Sequence, residues 1–232
     1  MKITIIALAL TSAVTTSTFA SSTDVQHIEQ AAATLDIQEL RLHSQSAQGY
    51  EQGLAYYRLS MSQYLQAQQQ AAQQSLEMAQ QSLEQLLAEP LSDTELGEAK
   101  ALLAQVYGFK ITFNPLKGAY YGPKAGKLLS QAERLAPNSP RVHLIKGVSA
   151  YNTPSMFGGS KQQALRDFNK AVLLFSQQQD TRYGWGEAET YTWRGLTQKE
   201  LGHGEQALAD WQQALQVNPD YGWAKMLIAK NQ

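Results

Sequence analysis

The sequence predicts an all-α chain of helical hairpins stacked into a solenoid. Three observations carry this. Small and apolar residues recur at i, i+4 and i+7 over most of the chain, a spacing that collects them on one helix face. The helices marked in this way come in pairs, and prolines close the pairs at Pro90, Pro137 and Pro219. An alanine returns at one place in the second helix of each pair, as Ala72, Ala125, Ala164 and Ala207.

The pattern is clearest from Ala188 to Tyr221. Tyr191, Gly195 and Gln198 share one face of a first helix; Ala207, Trp211 and Ala214 share one face of a second. Gly202, His203 and Gly204 interrupt the helical pattern where a tight turn is needed. Asn218-Pro219 ends the second helix, because proline lacks an N–H and restrains the residue before it. Gly195 admits the partner helix closely, and Trp211 is expected to fill the space between the last two pairs.

These residues resemble the tetratricopeptide repeat (TPR), whose period is about 34 residues. The match comprises Tyr191, Gly195, Ala207, Trp211, Ala214 and Pro219; Arg194 and Gln198 depart from the usual Leu and Tyr. The resemblance implies a TPR-type helical-hairpin solenoid, with repeats at about 53–86, 97–137, 140–176 and 188–221. Residues 21–232 are expected to form a single domain of this type. The alanines are spaced more widely than the family period, so extra residues must lie in loops or lengthened helices. Two insertions, between the helices of the second and third pairs, account for part of this. One runs from Phe113-Asn114-Pro115 to Tyr120-Tyr121-Gly122-Pro123, the other from Tyr151-Asn152-Thr153-Pro154 to Met156-Phe157-Gly158-Gly159-Ser160. The Pro-x-x-Phe-Gly-Gly segment of the second resembles one in certain exported TPR proteins, including the TPR partner of bacterial TRAP transporters.

In chain order, Met1 to Ala20 reads as a secretory leader: Lys2, the apolar run Ile3 to Leu10, and small residues ending Thr18-Phe19-Ala20. The run is too short to span a membrane, which takes about 20 apolar residues. Cleavage after Ala20 is expected to leave an exported, soluble periplasmic protein with no membrane insertion. The chain has no cysteine, hence no lipid attachment site and no disulfide framework. Asp24 and Asp36 are candidate caps for two leading helices. The glutamines between Gln63 and Gln85 fill the wet face of a helix pair whose leucines keep helical spacing. Ser92 with Glu95, and Ser160 with Gln163, match the capping box. Ser139-Pro140 reads as N-cap and first helical residue, and Pro123 suits the same first position. Trp223 to Lys230 reads as the solvating end helix that a solenoid needs.

The formal charge of −1, near neutral again once Lys2 is lost, argues against nucleic acid as the partner. The stretch from Gly118 to Leu128 only superficially suggests a phosphate loop: Tyr121 stands where a glycine is required and Leu128 where the metal-binding hydroxyl would be. Lys117, Lys124, Lys127 and Arg134 read either as an anion-favouring patch at a helix start or as solvated surface cations. His27, His43, His143 and His203 lack zinc-ligand spacing. Glu187 and Glu189 read as acids favoured at a helix start. No catalytic, cofactor or metal motif stands out, and the chain is not expected to be an enzyme.

In the TPR family, ligands are contacted mainly from the first helix of each pair. Carried over by position, the resemblance implies contacts from Tyr57, Met61 and Tyr64, from Gln105 and Phe109, from Val148, Tyr151 and Asn152, and from Thr192, Leu196 and Lys199. The expected role is an adaptor that holds a protein or peptide on a concave face. A small-ligand carrier or transport-system subunit, and an enzyme without a motif, are the alternatives. Met156 and Phe157 are expected to fold back onto the solenoid and narrow its groove, because apolar burial is worth roughly 1.5–3 kcal/mol per side chain.

Overall fold

The computed structural model describes residues 22–178 and 182–231. The expected leader and its expected cleavage point lie outside the described residues. Eleven α-helices and two short 3-10 turns make up the regular structure of the described residues, which contain no strand. Two leading helices, α1 (Ser22–Ala33) and α2 (Ile37–Ser46), precede the first pair. The pairs are α3 (Gly49–Leu65) with α4 (Gln69–Leu86), α5 (Asp93–Phe113) with α6 (Gly118–Leu135), α7 (Pro140–Asn152) with α8 (Lys161–Gln177), and α9 (Glu187–Glu200) with α10 (Gly204–Val217). The end helix is α11 (Gly222–Lys230). The 3-10 turns, Pro115–Lys117 and Ser155–Phe157, sit in the two insertions.

Side-chain caps fix the starts of α2, α5, α7 and α8. Asp36 accepts hydrogen bonds from the Gln38 and Glu39 amides, and Ser139 from that of Val142. Ser92 and Glu95 form the complete capping box. At Ser160 only half of the box exists: Ser160 accepts from the Gln163 amide, while the Gln163 side chain turns to Asp167 and Arg166. Two starts differ from expectation. α1 begins ahead of Asp24, which lies in its first turn, and α6 begins at Gly118, so Pro123 is internal to it. The 21-residue α5 absorbs part of the extra spacing between repeats.

Within each pair, small residues let the helices approach. A side chain at Gly147 would put its Cβ 2.5 Å from the Phe168 ring, and one at Gly195 would meet the Trp211 indole. In the first pair Ser60 takes this place, and its hydroxyl donates to the Ala72 carbonyl at 2.7 Å. Trp211 is 1% exposed, as its spacing suggests, but its buried neighbours are Ala188, Ala207, Ala214 and Ala224. It therefore packs inside the last pair and against α11 rather than between the last two pairs.

Successive first helices approach one another more closely than successive second helices do, so α3, α5, α7 and α9 form the inner wall of the arc. α1 packs against α3, and its turn reaches the far end of the arc. The Gln30 amide donates to Asp220 at 3.4 Å, and Gly222 lies against the Ala33 carbonyl. Val25 and Ile28 of α1 are fully buried. The segment before α9 crosses the interior too: the Trp185 indole N–H donates to the Tyr50 hydroxyl at 2.9 Å, and Tyr183 meets the Tyr50 ring edge-on at 4.9 Å. The first and last pairs are thereby joined across the inside of the arc.

Candidate partner-binding surface

The inner wall carries a buried charged centre flanked by two aromatic groups. Arg58 of α3 makes a two-pronged pair with Glu29 of α1, Nε–Oε1 2.6 Å and Nη2–Oε2 3.0 Å. The same guanidinium lies 2.9 Å from Glu189 of α9. Its carbon sits 5.0 Å from the centre of the Trp185 ring. Burial pushes the Glu29 carboxyl above its usual value, and Arg58 offsets only part of this. Burial alone would pull Arg58 down, but the two carboxylates hold it well above its usual value. Glu189, expected as an ordinary helix-start acid, is 4% exposed and contributes to the inner face.

A second buried pair fixes the crossing segment. Arg141 forks Glu98 at 2.9 and 2.8 Å, and it donates to the Tyr183 carbonyl at 2.9 Å. Ser139 donates to the same carboxylate at 2.6 Å, so the cap of α7 and the ion pair are one unit.

The first aromatic group joins pairs one and two. Tyr64 stands edge-on to Phe109 at 5.5 Å and to Phe113 at 5.4 Å, and Phe109 and Phe113 are 5.2 Å apart. Tyr57 approaches Phe109 from below at 6.2 Å, with its hydroxyl accepting from Gln105 at 2.9 Å. Met61 places its sulfur 3.8 Å from Arg58 Nη1. The second group joins pairs three and four to the end helix. Tyr151 and Trp193 are 5.2 Å apart, and Trp193 and Trp223 5.0 Å, both edge-on. The Lys161 ammonium lies 3.1 Å from the centre of the Tyr151 ring and donates to the Tyr151 carbonyl.

The expected contact residues divide accordingly. Met61, Tyr64, Gln105 and Phe109 come together with part of their surface open, and Tyr151 joins the second group. Tyr57 is 2% exposed and Val148 7%, so neither offers a free face; Thr192 is fully buried. Leu196 packs against the core of the last pair. Asn152 is exposed, but its amide donates to its own helix at Val148. Lys199 is tied to Asn231 beyond α11. Phe113, Trp193 and Trp223 belong to the surface although the sequence does not mark them as contacts. Trp193 could have been found, since it follows the expected contact Thr192 on the same helix.

The insertions do not fold back over the groove. Met156 is 81% exposed, Phe157 73% and Leu116 88%. The second insertion is instead a formed turn. Phe157 and Gly158 amides donate to Pro154 and Ser155, Gly158 takes the left-handed conformation at φ 92°, and Ser160 donates back to Ala150. The backbone satisfies its own hydrogen bonds there, leaving the side chains to point outward.

Among the described residues no group of three His, Cys, Asp or Glu side chains is placed to hold a metal ion. Among them, too, no helix is long and apolar enough to cross a membrane. No protein-family model matches the sequence, and no curated protein matches it closely. Solved structures do. A thermophilic TPR protein of Thermus thermophilus superposes with a TM-score of 0.56 at 19% identity, over 91% of this chain and 98% of that one. The fold is of the TPR type. The HusA haemophore from Porphyromonas gingivalis also aligns, with a TM-score of 0.58 at 18% identity, over 77% of this chain and 91% of that one. At these identities the likeness concerns the fold. This TPR-type arc is closed by the charged centre, with the two aromatic groups left on either side.

Proposed function

We propose that the protein is an exported binding scaffold that holds a segment of a partner protein on its inner wall. One observation carries this: the first helices present Tyr64, Phe109 and Phe113 on one side, and Tyr151 and Trp193, joined by Trp223 of the end helix, on the other, all with surface left open. Aromatic side chains give large contact area at small cost in side-chain entropy, and they dominate binding hot spots. The groove floor between them is closed by α1 and Arg58, so the occupant rests on the aromatic rims rather than running the full length of the arc. Glu29 and Glu189 are committed to Arg58, which argues for a structural centre rather than a catalytic one. The leader supports export to the periplasm.

The test is capture of partners from the exported fraction by the wild type and by Phe109→Ser and Trp223→Ser. A partner retained by the wild type and lost from both variants supports the scaffold. Equal capture by all three rules out the aromatic rims as the site.

A second function, carriage of a flat apolar ligand, is favoured by one feature. The Trp193 indole N–H is buried without a hydrogen-bond partner beside Tyr151 and Trp223, and an unpaired buried donor is costly. The fold neighbour named a haemophore makes haemin the natural probe. A Trp193-dependent absorption change on titration would support the carrier, and its absence would leave the scaffold.

A further inference from the structure

We infer that the edge carrying the two insertions is a docking face for an anionic lipid surface. This face is separate from the aromatic rims of the inner wall.

The argument starts from topology. α5 and α7 run in the same direction, so both insertions leave the C-terminal ends of neighbouring helices and stand on the same edge. The turn after α3 lies on that edge as well. Five exposed apolar side chains lie there, the three most exposed of the described residues among them: Leu116 at 88%, Met156 at 81%, Phe157 at 73%, Leu65 at 61% and Tyr120 at 58%. Exposing side chains of this kind on formed turns forfeits burial that folding would otherwise gain.

Charge identifies the occupant. Residues 99–166 hold ten Lys and Arg and a single acid, Glu133, in a chain whose net charge is −1. Several of these cations serve the fold, as Arg141 does with Glu98 and Lys146 with Glu133. Lys117 at the tip of the first insertion has no ion-pair partner among the described residues. Lys124, one turn into α6, leans on Tyr120, with its ammonium 4.0 Å from the ring centre. Lys161 opens α8 at the base of the second insertion, where burial lowers its affinity for the proton and Glu200 of the next pair partly restores it. Pairs two and three thus place lysines beside projecting apolar tips with no carboxylate between them. The next acid in the chain, Asp167, lies buried within α8, bonded to Gln163 and paired with Lys146.

The shape favours lipid over an acidic peptide. Peptides are held in concave grooves or added to sheet edges, whereas these tips project. Projecting Leu, Met, Phe and Tyr side chains enter the headgroup boundary, and lysines beside them reach anionic headgroups.

Flotation with vesicles tests this, using protein purified from the exported fraction. Vesicles containing phosphatidylglycerol should carry the wild type; vesicles of phosphatidylcholine alone should carry much less. Leu116→Ser with Phe157→Ser should weaken binding on the order of tenfold or more, and so should Lys117→Glu with Lys124→Glu, with high salt acting like the lysine changes. All four residues are exposed, and helical circular dichroism checks that the variants remain folded. Amides of Met156 to Gly159 should exchange more slowly on vesicles. Wild type that stays in the aqueous layer, or binding indifferent to both double variants, overturns the inference. Loss of polyglutamate binding in the variants, without vesicle binding by the wild type, assigns the face to an acidic protein and also overturns it. Partner capture through the aromatic rims should survive both double variants, so failure of one site is distinguishable from failure of the other.

Discussion

Arg58 in the first helical pair lies 2.9 Å from Glu189 in the last. Both side chains are almost wholly buried, at 6% and 5% exposure. A buried pair of this kind adds little net stability over an apolar pair, but removing one partner strands the other charge. Arg58→Ala should therefore cost about 3–5 kcal/mol, read from urea denaturation. Arg58→Met with Glu29→Gln and Glu189→Gln should recover much of that loss. A single-variant cost near zero would mean that the arc is held by its helix contacts alone.

Trp211→Ala should cost about 3–5 kcal/mol, the usual range for a buried large aromatic. The loss should fall on α9 to α11, since the buried neighbours of Trp211 all lie there. Native-state hydrogen exchange would show it as weakened protection of those helices, with α3 to α6 less affected. Uniform weakening of all helices would mean that the two cores unfold as one.

Tyr64→Ser and Trp223→Ser should leave denaturation midpoints nearly unchanged, because both side chains keep open surface. Their effect should be on partner capture. A large fall in midpoint with unchanged capture would assign the aromatic rims to stability.

Asp167 gives a pH signature. Burial would raise its carboxyl, but the neighbouring His143 ring, the hydrogen bond from Gln163 and the charge of Lys146 outweigh this and hold it below its usual value. The lowered folded value means that its contribution is complete above about pH 4 and is lost as pH falls through that lower value. Wild type should be more stable than Asp167→Asn at neutral pH, and the gap should close below about pH 4. A gap that stays constant into acid would show that the carboxylate charge contributes nothing.

The hairpins were legible because their signals are local. Ser92 with Glu95, Ser139 before Pro140, and the Gly195–Trp211 pairing each join residues that neighbouring turns bring together. The closure was not legible. Glu29 and Glu189 look like ordinary polar positions on amphipathic helices, and no spacing rule links Tyr50 to Trp185, 135 residues away. Periodicity tells which face of a helix is buried, not which distant element buries it. The candidate surface shows the same division. Tyr64, Phe109 and Tyr151 follow from their place in the repeat, whereas Tyr57 loses its free face to neighbours that the repeat pattern does not encode. The insertions differ for another reason: their backbone forms a self-bonded turn, which local apolar content does not reveal, and that turn leaves Met156 and Phe157 exposed.

The placement of α1 has a consequence for the order in which the protein matures. Its Gln30 meets Asp220, a partner 190 residues further along the chain. A helix that leaves the ribosome early is therefore among the last to find its seat. Until the turn before α11 has been made, the flank of α1 at Gln30 and Ala33 lacks its cover, although α3 already covers the other. A chain truncated before that turn would leave its defect at its start, on this flank of α1.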